Sequence, residues 1–219
     1  MIKWLLITVV VLVLGSTLIN MKKTTPPDVC AFTVSIGKRN YLKQSFPAMT
    51  ENGFNHVFVY DGNDNIIKTQ FSTNKLQERT NNYFKIAQGD DYKRTSWRTK
   101  QVSDFAHAGF DILTKCPDTE WFLFFEDDMV CTKHKNYIMS KINDNDGMVI
   151  LAPTSSTGAF IAHRLYLLDL VAYWSLRTDF YPVDWLTDTH HTSLTSNPIK
   201  KYNIFKHIGK VSTFDGKNI

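Results

Sequence analysis

Trp121-Phe122-Leu123-Phe124-Phe125-Glu126-Asp127-Asp128 is the stretch whose reading decides the fold. Five consecutive apolar residues, all but Leu123 aromatic, leave no polar face, which is the pattern of a strand buried on both sides in the middle of an α/β sheet. Three acids follow at its carboxyl end. In open α/β sheets that edge is where ligands bind, and adjacent carboxylates repel one another unless water, a base or a metal offsets the charge. A hard cation such as Mg2+ or Mn2+ suits them, because it prefers carboxylate oxygen and keeps positions open for substrate phosphates. A solvated acidic turn closing a strand fits the same residues, and the triplet alone leaves both readings open.

The flanking sequence supplies the rest of an α/β domain. From Ser96, a suitable N-cap, to Thr114 the apolar residues Trp97, Phe105, Ala108 and Ile112 recur at helical spacing, and the chain reaches the strand through Pro117. Earlier, Ala31 to Ile36 reads as a strand and Gly37-Lys38-Arg39-Asn40 as a polar turn. Tyr41 to Asn52 reads as a helix, and His56 to Tyr60 as a strand ending at Asp61-Gly62. This β-α-β unit puts Gly37, Lys38, Arg39 and Asp61 on one side of a parallel sheet. Asn63 to Tyr92 is polar and aperiodic, with one short strand expected near Tyr83 to Ile86. Downstream, strands are expected from Asp146 to Ala152 and from Gly158 to Ala162, and a helix from Leu165 to Leu176, before Tyr181-Pro182.

The bulk properties bound the function. At 219 residues the chain has room for an N-terminal anchor and one domain, and 13% aromatic with 21% charged residues describes a globular protein with a real core. A net charge of +4 with scattered Lys and Arg gives no nucleic-acid footprint, though it suits an anionic small substrate. Trp4 to Ile19 is apolar apart from Thr8, Gly15, Ser16 and Thr17, so residues 1–20 read as a signal anchor or signal peptide. No clear small-x-small cleavage site follows, which favours an uncleaved anchor, while Lys22 and Lys23 oppose an extracytosolic domain under the positive-inside rule. Residues 21–29, with Thr24-Thr25-Pro26-Pro27, form a short stem, and 30–219 form the domain.

Three cysteines, Cys30, Cys116 and Cys131, cannot all pair within one chain. Cys116 and Cys131 flank the strand, whose residues at ~3.3 Å each hold them beyond the ~5.5 Å Cα spacing of a disulfide, so no bridge joins them. Without Cys-x-x-Cys, neither zinc nor thioredoxin-type chemistry has support.

Other residues carry candidate chemistry. Asp184 and Asp188 share one face if helical, although Asp184 also suits a helix N-cap after Tyr181-Pro182. Arg98 and Lys100 offer charge-assisted bonds to an anion such as a diphosphate, or a solvated helix face. Gly37, Lys38 and Arg39 follow the first strand where a nucleotide enters, Asp61 is placed to accept from a ribose, and Gly158 permits close backbone approach to a ligand. His190 and His191 are adjacent and point apart in either regular structure, so they read as a surface or acceptor-side loop.

Five stretches come in an order that resembles one family. They are Trp97-Arg98-Thr99-Lys100-Gln101, Phe124-Phe125-Glu126-Asp127-Asp128, Gly158-Ala159-Phe160-Ile161, Pro182-Val183-Asp184-Trp185-Leu186 with Asp188, and Phe205-Lys206-His207-Ile208-Gly209. From about Phe32 to Lys217 the chain resembles the N-acetylglucosaminyltransferase IV family, the alpha-1,3-mannosyl-glycoprotein beta-1,4-N-acetylglucosaminyltransferases of the Golgi. The resemblance implies a GT-A fold, a Rossmann-like, mixed, mostly parallel sheet flanked by helices. It implies inverting transfer from UDP-GlcNAc to a glycan or glycoprotein acceptor with Mn2+ or Mg2+, in a single-pass type II membrane protein of the secretory pathway. Residue by residue, Asp128 becomes the metal ligand of a DxD-type motif, Asp127 the group nearer ribose or sugar, and Glu126 a support. His207 would complete the metal or diphosphate site, Arg98, Lys100 and Gln101 would contact the donor, and Asp184 rather than Asp188 would be the base. Family members carry a longer catalytic region, whereas here Asp61 to Trp97 is short and Thr189 to Tyr202 trimmed, so the acceptor does not carry over. A transferase resembling the GPI side-chain GalNAc enzymes and a non-catalytic sugar-nucleotide-binding relative remain as alternatives.

Overall fold

The computed structural model describes residues 29–35, 41–61, 83–85, 97–142, 147–153, 158–176 and 182–209, without the side chains of 61, 83–85 and 97–100. The expected membrane segment, the stem up to residue 28, and Gly37, Lys38 and Arg39 lie outside the described residues. Among the described residues no helix is long and apolar enough to cross a membrane.

In chain order the elements begin β1 (Val29–Ser35), α1 (Leu42–Glu51), β2 (Val57–Asp61), β3 (Tyr83–Lys85), α2 (Trp97–Lys115) and β4 (Trp121–Phe125). They continue β5 (Met129–Cys131), α3 (Lys135–Met139), β6 (Met148–Ile150), β7 (Ala159–His163), α4 (Arg164–Ser175), α5 (Val183–Leu194), β8 (Lys200–Lys201) and β9 (Phe205–His207). Seven strands form one sheet in the order β3-β2-β1-β4-β7-β6-β8, while β5 and β9 pair separately. β1 runs parallel to β2 and β4, β2 to β3 and β6 to β8. β7 is antiparallel to both neighbours, β4 and β6, and so is reversed relative to the other described strands of this sheet.

The unbroken apolar run of β4 follows from this placement. Successive side chains leave a strand on opposite faces, so both faces must be greasy when both are covered. Phe122 and Phe124 enter a core with Phe32, Phe105, Phe160 and Trp174. Trp121, Leu123 and Phe125 enter a second core with Phe46, Met49, Met129 and Phe205. Phe124 stands at ring-centroid distances of 5.3 Å from Phe32, 4.6 Å from Phe105 and 5.3 Å from Phe160. Full burial of each such ring contributes roughly 1.5–3 kcal/mol.

The amino edge of the sheet is fastened twice. Arg164, at the start of α4, donates from Nη2 to the carbonyl of Leu113 (2.8 Å), in the last turn of α2, and from Nη1 to that of Cys116 (2.9 Å), which also accepts from the Thr119 N–H. Its guanidinium also lies 5.5 Å from the Phe122 ring centroid. Beside it Cys30 and Cys116 form a disulfide, with Cα atoms 6.9 Å apart. The excluded Cys116–Cys131 bridge is indeed absent and Cys131 is free and buried, but the Cys30–Cys116 pair went unanticipated. It arises because Cys30 is the register partner of Phe122 and α2 returns the chain to the same edge just before β4.

Candidate functional site

At the opposite edge the strand ends converge. β1 ends in Ser35, which stands in register with Asp61 of β2, and β4 ends in Phe125. Because β7 is reversed, its beginning arrives here too: Ala159 pairs with Phe125, and the Glu126 N–H donates to the Gly158 carbonyl at 2.8 Å. The Met129 N–H then donates to the Glu126 carbonyl (3.0 Å), closing a turn that holds Asp127 and Asp128 over the edge.

Each acid of the triplet has a different environment. Asp127 accepts a short hydrogen bond at Oδ2 from the Ser35 hydroxyl, which ties it to β1. Asp128 is buried at 8% exposure, and its Oδ2 lies 3.1 Å from Nε2 of His207. Its Oδ1 is buried without a hydrogen-bond partner among the described residues. The β5–β9 ladder sets this pair, with Met129 opposite His207 and the Ile208 N–H donating to the Asp128 carbonyl at 2.9 Å. A Cβ on Gly209 would lie 2.3 Å from Asp128 Oδ2 and 3.0 Å from His207 Nε2, so only glycine leaves room for the pair as it stands.

Glu126 feels the whole cluster. Its carboxyl is pushed well above the ordinary range by burial, then by the charges of Asp128, Asp127 and Asp184. Asp184 therefore shares this acidic field. It lies inside the first turn of α5, where its Oδ1 accepts from the Trp185 N–H at 3.0 Å. The N-cap is Pro182, so the capping role weighed for Asp184 does not apply. Asp188, one turn later, is exposed. Its charge acts on Tyr166, whose hydroxyl is raised first by burial and then by Asp169 and Asp188.

Other expected residues fall in different places. Gly158 adjoins the triplet, and Gln101 is buried in α2. Asp61, Arg98 and Lys100 belong to described elements, but their side chains lie outside the described residues, as do Gly37, Lys38 and Arg39 altogether. His190 and His191 are not in a surface loop: both are buried in α5. His191 lies 3.1 Å from the Tyr166 hydroxyl through Nδ1 and 3.0 Å from the Asn197 carbonyl through Nε2. A carbonyl only accepts, so Nε2 carries a proton there. His190 packs beside the Tyr166 and Tyr173 rings, with Nε2 3.3 Å from Asp169 Oδ2. Both histidines go inward because α5 packs against α4 across the aromatic residues between them. Ser35 escaped the sequence reading, its only signal being a hydroxyl at the end of an otherwise mostly apolar strand.

Among the described residues no group of three His, Cys, Asp or Glu side chains is arranged to hold a metal ion. Asp128 and His207 are two such groups in contact. No family model matches this chain, and no curated protein matches it significantly. Among solved structures it is similar to a glycosyltransferase involved in the glycosylation of the major capsid of PBCV-1. That match is 17% identical with a TM-score of 0.52, over 85% of this chain and 95% of that one. It is also similar to a putative glucose-1-phosphate thymidylyltransferase from Bacillus anthracis, solved in complex with a sucrose. Here the identity is 7% and the TM-score 0.50, over 80% and 86% of the two chains. The sheet and its flanking helices thus share the Rossmann-like fold of these two structures.

Proposed function

We propose that this chain is an inverting, metal-dependent GT-A glycosyltransferase that moves GlcNAc from UDP-GlcNAc to a glycan acceptor. The observation that carries the reading is Asp128: a buried carboxylate at the carboxyl edge of the central strand, with one oxygen beside His207 and the other unpartnered among the described residues. A buried acceptor without a donor is costly, and a hard cation satisfies it. Two protein ligands fit Mn2+ or Mg2+, which take their remaining positions from water and substrate phosphates. Asp128 and His207 would hold the ion, and when bound it stabilises charge on the departing diphosphate.

The other residues divide the work. Asp127, tied to Ser35, faces the donor ribose or sugar, and Glu126 supports the turn. Asp184 takes the proton of the acceptor hydroxyl as its oxygen bonds to the anomeric carbon and the bond to the UDP oxygen breaks on the opposite face. The GlcNAc preference rests on the resemblance to the N-acetylglucosaminyltransferase IV family. The Cys30–Cys116 disulfide supports an oxidising compartment, in keeping with a type II anchor in the secretory pathway.

The test is metal-dependent UDP release from UDP-GlcNAc, UDP-GalNAc, UDP-Gal and UDP-Glc, with Asp128→Asn as control. UDP-GlcNAc should be the best donor, and both chelation and Asp128→Asn should abolish release. Undiminished release after chelation would sink the role given to Asp128.

A further inference from the structure

We propose that Ser35 is a positioning residue for donor binding, its hydroxyl holding the Asp127 carboxylate in the orientation that receives the nucleotide. This rests on the transferase reading above and gives a role within it to a residue outside the acid triplet.

The bond stands where one join between strands gives out. β1 and β4 pair through the backbone from Val29–Trp121 to Phe32–Phe124, and Ser35 and Asp127 keep the same separation of 92 residues in sequence. The Ser35 hydroxyl donates to Asp127 Oδ2. A side-chain bond therefore continues the register past the last backbone pair, where β4 gives way to the turn closed by the Met129 N–H and the Glu126 carbonyl. Strand side chains alternate between faces, so Ser35 shares the face of Ala31, which packs into one core with Leu42 and Phe46 of α1.

Charge and burial make this hydroxyl matter. Asp127 lies between Glu126 and Asp128, and the raised Glu126 carboxyl registers the charges of both aspartates, so repulsion pushes the acids of the turn apart. A fixed donor opposes that push by favouring one orientation of the Asp127 carboxylate. Ser35 is only 1% exposed. A hydrogen bond to a charged group is strengthened in such surroundings, and deleting the hydroxyl leaves a gap too small for a water molecule to take its place. Asp127 would then stay in the turn but lose the anchor that sets its angle. A bond that merely fastened β1 to β4 would have a different consequence, lowering stability without acting on the ligand through Asp127.

The test measures UDP affinity with Mg2+ on the full chain, titrated by NMR so that millimolar binding is still read, with thermal unfolding alongside. The proteins are wild type, Ser35→Ala, Ser35→Thr, Asp127→Ala and the double variant Ser35→Ala/Asp127→Ala. We expect Ser35→Ala to weaken UDP binding roughly tenfold, the scale of one hydrogen bond to a charged group, while Ser35→Thr, which keeps the hydroxyl, stays within about threefold of wild type. In the Asp127→Ala background, adding Ser35→Ala should change UDP affinity by less than about twofold, because the route is already cut. This cycle reads only the part of Asp127's placement that passes through the hydroxyl. Undiminished affinity in Ser35→Ala, an equal loss with and without the Asp127 carboxylate, or a threonine variant that melts like wild type yet binds like the alanine variant would each overturn the role of Ser35 and leave the donor site standing. Absence of UDP binding by the wild type would instead defeat the transferase reading, and the role of Ser35 with it.

Discussion

Gly209→Ala tests the candidate metal pair without touching either member. The new Cβ would lie 2.3 Å from Asp128 Oδ2, about 1.1 Å short of the 3.4 Å at which ordinary contact begins. Asp128 is short and mostly buried, so it yields mainly by swinging its carboxylate, which breaks the 3.1 Å contact with His207. His207 cannot absorb the change either, because its Nε2 would stand only 3.0 Å from the same Cβ. Misplacing a catalytic group by about 1 Å costs on the order of 100-fold, or about 2.7 kcal/mol of transition-state stabilisation. We expect kcat/KM for UDP release to fall by about that factor. Mn2+ affinity in the presence of UDP, read by calorimetry or electron paramagnetic resonance, should weaken in parallel. Thermal unfolding should move by only a few degrees, since β5 and β9 form a sheet of their own. If Gly209→Ala kept both Mn2+ affinity and turnover within threefold of wild type, the tight approach of Asp128, His207 and Gly209 would not be what holds a cation.

Asp184→Asn should lower turnover by at least about 100-fold with UDP affinity retained, whereas Asp188→Asn should change it by less than threefold; matching losses in acceptor kinetics would refute the assignment of the base. Replacing both Cys30 and Cys116 by Ser opens a loop spanning 86 residues, worth about 4.6 kcal/mol by chain entropy, and a urea titration showing under ~1 kcal/mol would contradict this. His190 is held below its ordinary value of 6.5, first by burial, so the folded state binds fewer protons than the unfolded one. Stability should therefore be full above pH 6.5 and decline as pH falls through it, and His190→Gln should flatten that slope; parallel melting curves for both proteins from pH 7.5 to 5.5 would exclude His190 as the cause.

Parts of this architecture are legible from residue order because local pattern and burial agree. Trp121 to Phe125 announces a central strand because both faces are covered, and α2 shows itself through the spacing of Phe105, Ala108 and Ile112. The short strand expected near Tyr83 is also present, described over Tyr83–Lys85. Strand direction is another matter: the strand expected from Gly158 to Ala162 forms as Ala159–His163, but nothing in its residues says that it runs against β4. The acid triplet is visible, while its differentiation is not. Ser35 reaches Asp127 across 92 residues of sequence, and no local period encodes such a contact. α3 and the three-residue strands β5 and β9 are too short for any periodicity to declare. The buried histidines mislead for a related reason: neighbours in a helix diverge by about 100°, yet a wide packed interface can take both.

The pairing of β5 with β9 has a consequence for how the molecule is made. Asp128 and His207 stand 79 residues apart, and the ladder that joins them belongs to a separate two-stranded sheet. During synthesis β1, β2 and β4 leave the ribosome well before residue 207, so the main sheet can begin to pair while half of the Asp128–His207 pair is still to be made. The candidate metal pair is therefore a late product of folding. Proteolytic trimming that removed β9 would leave the strands of the main sheet in place and take the pair away, so metal competence would report completed folding more stringently than secondary structure does.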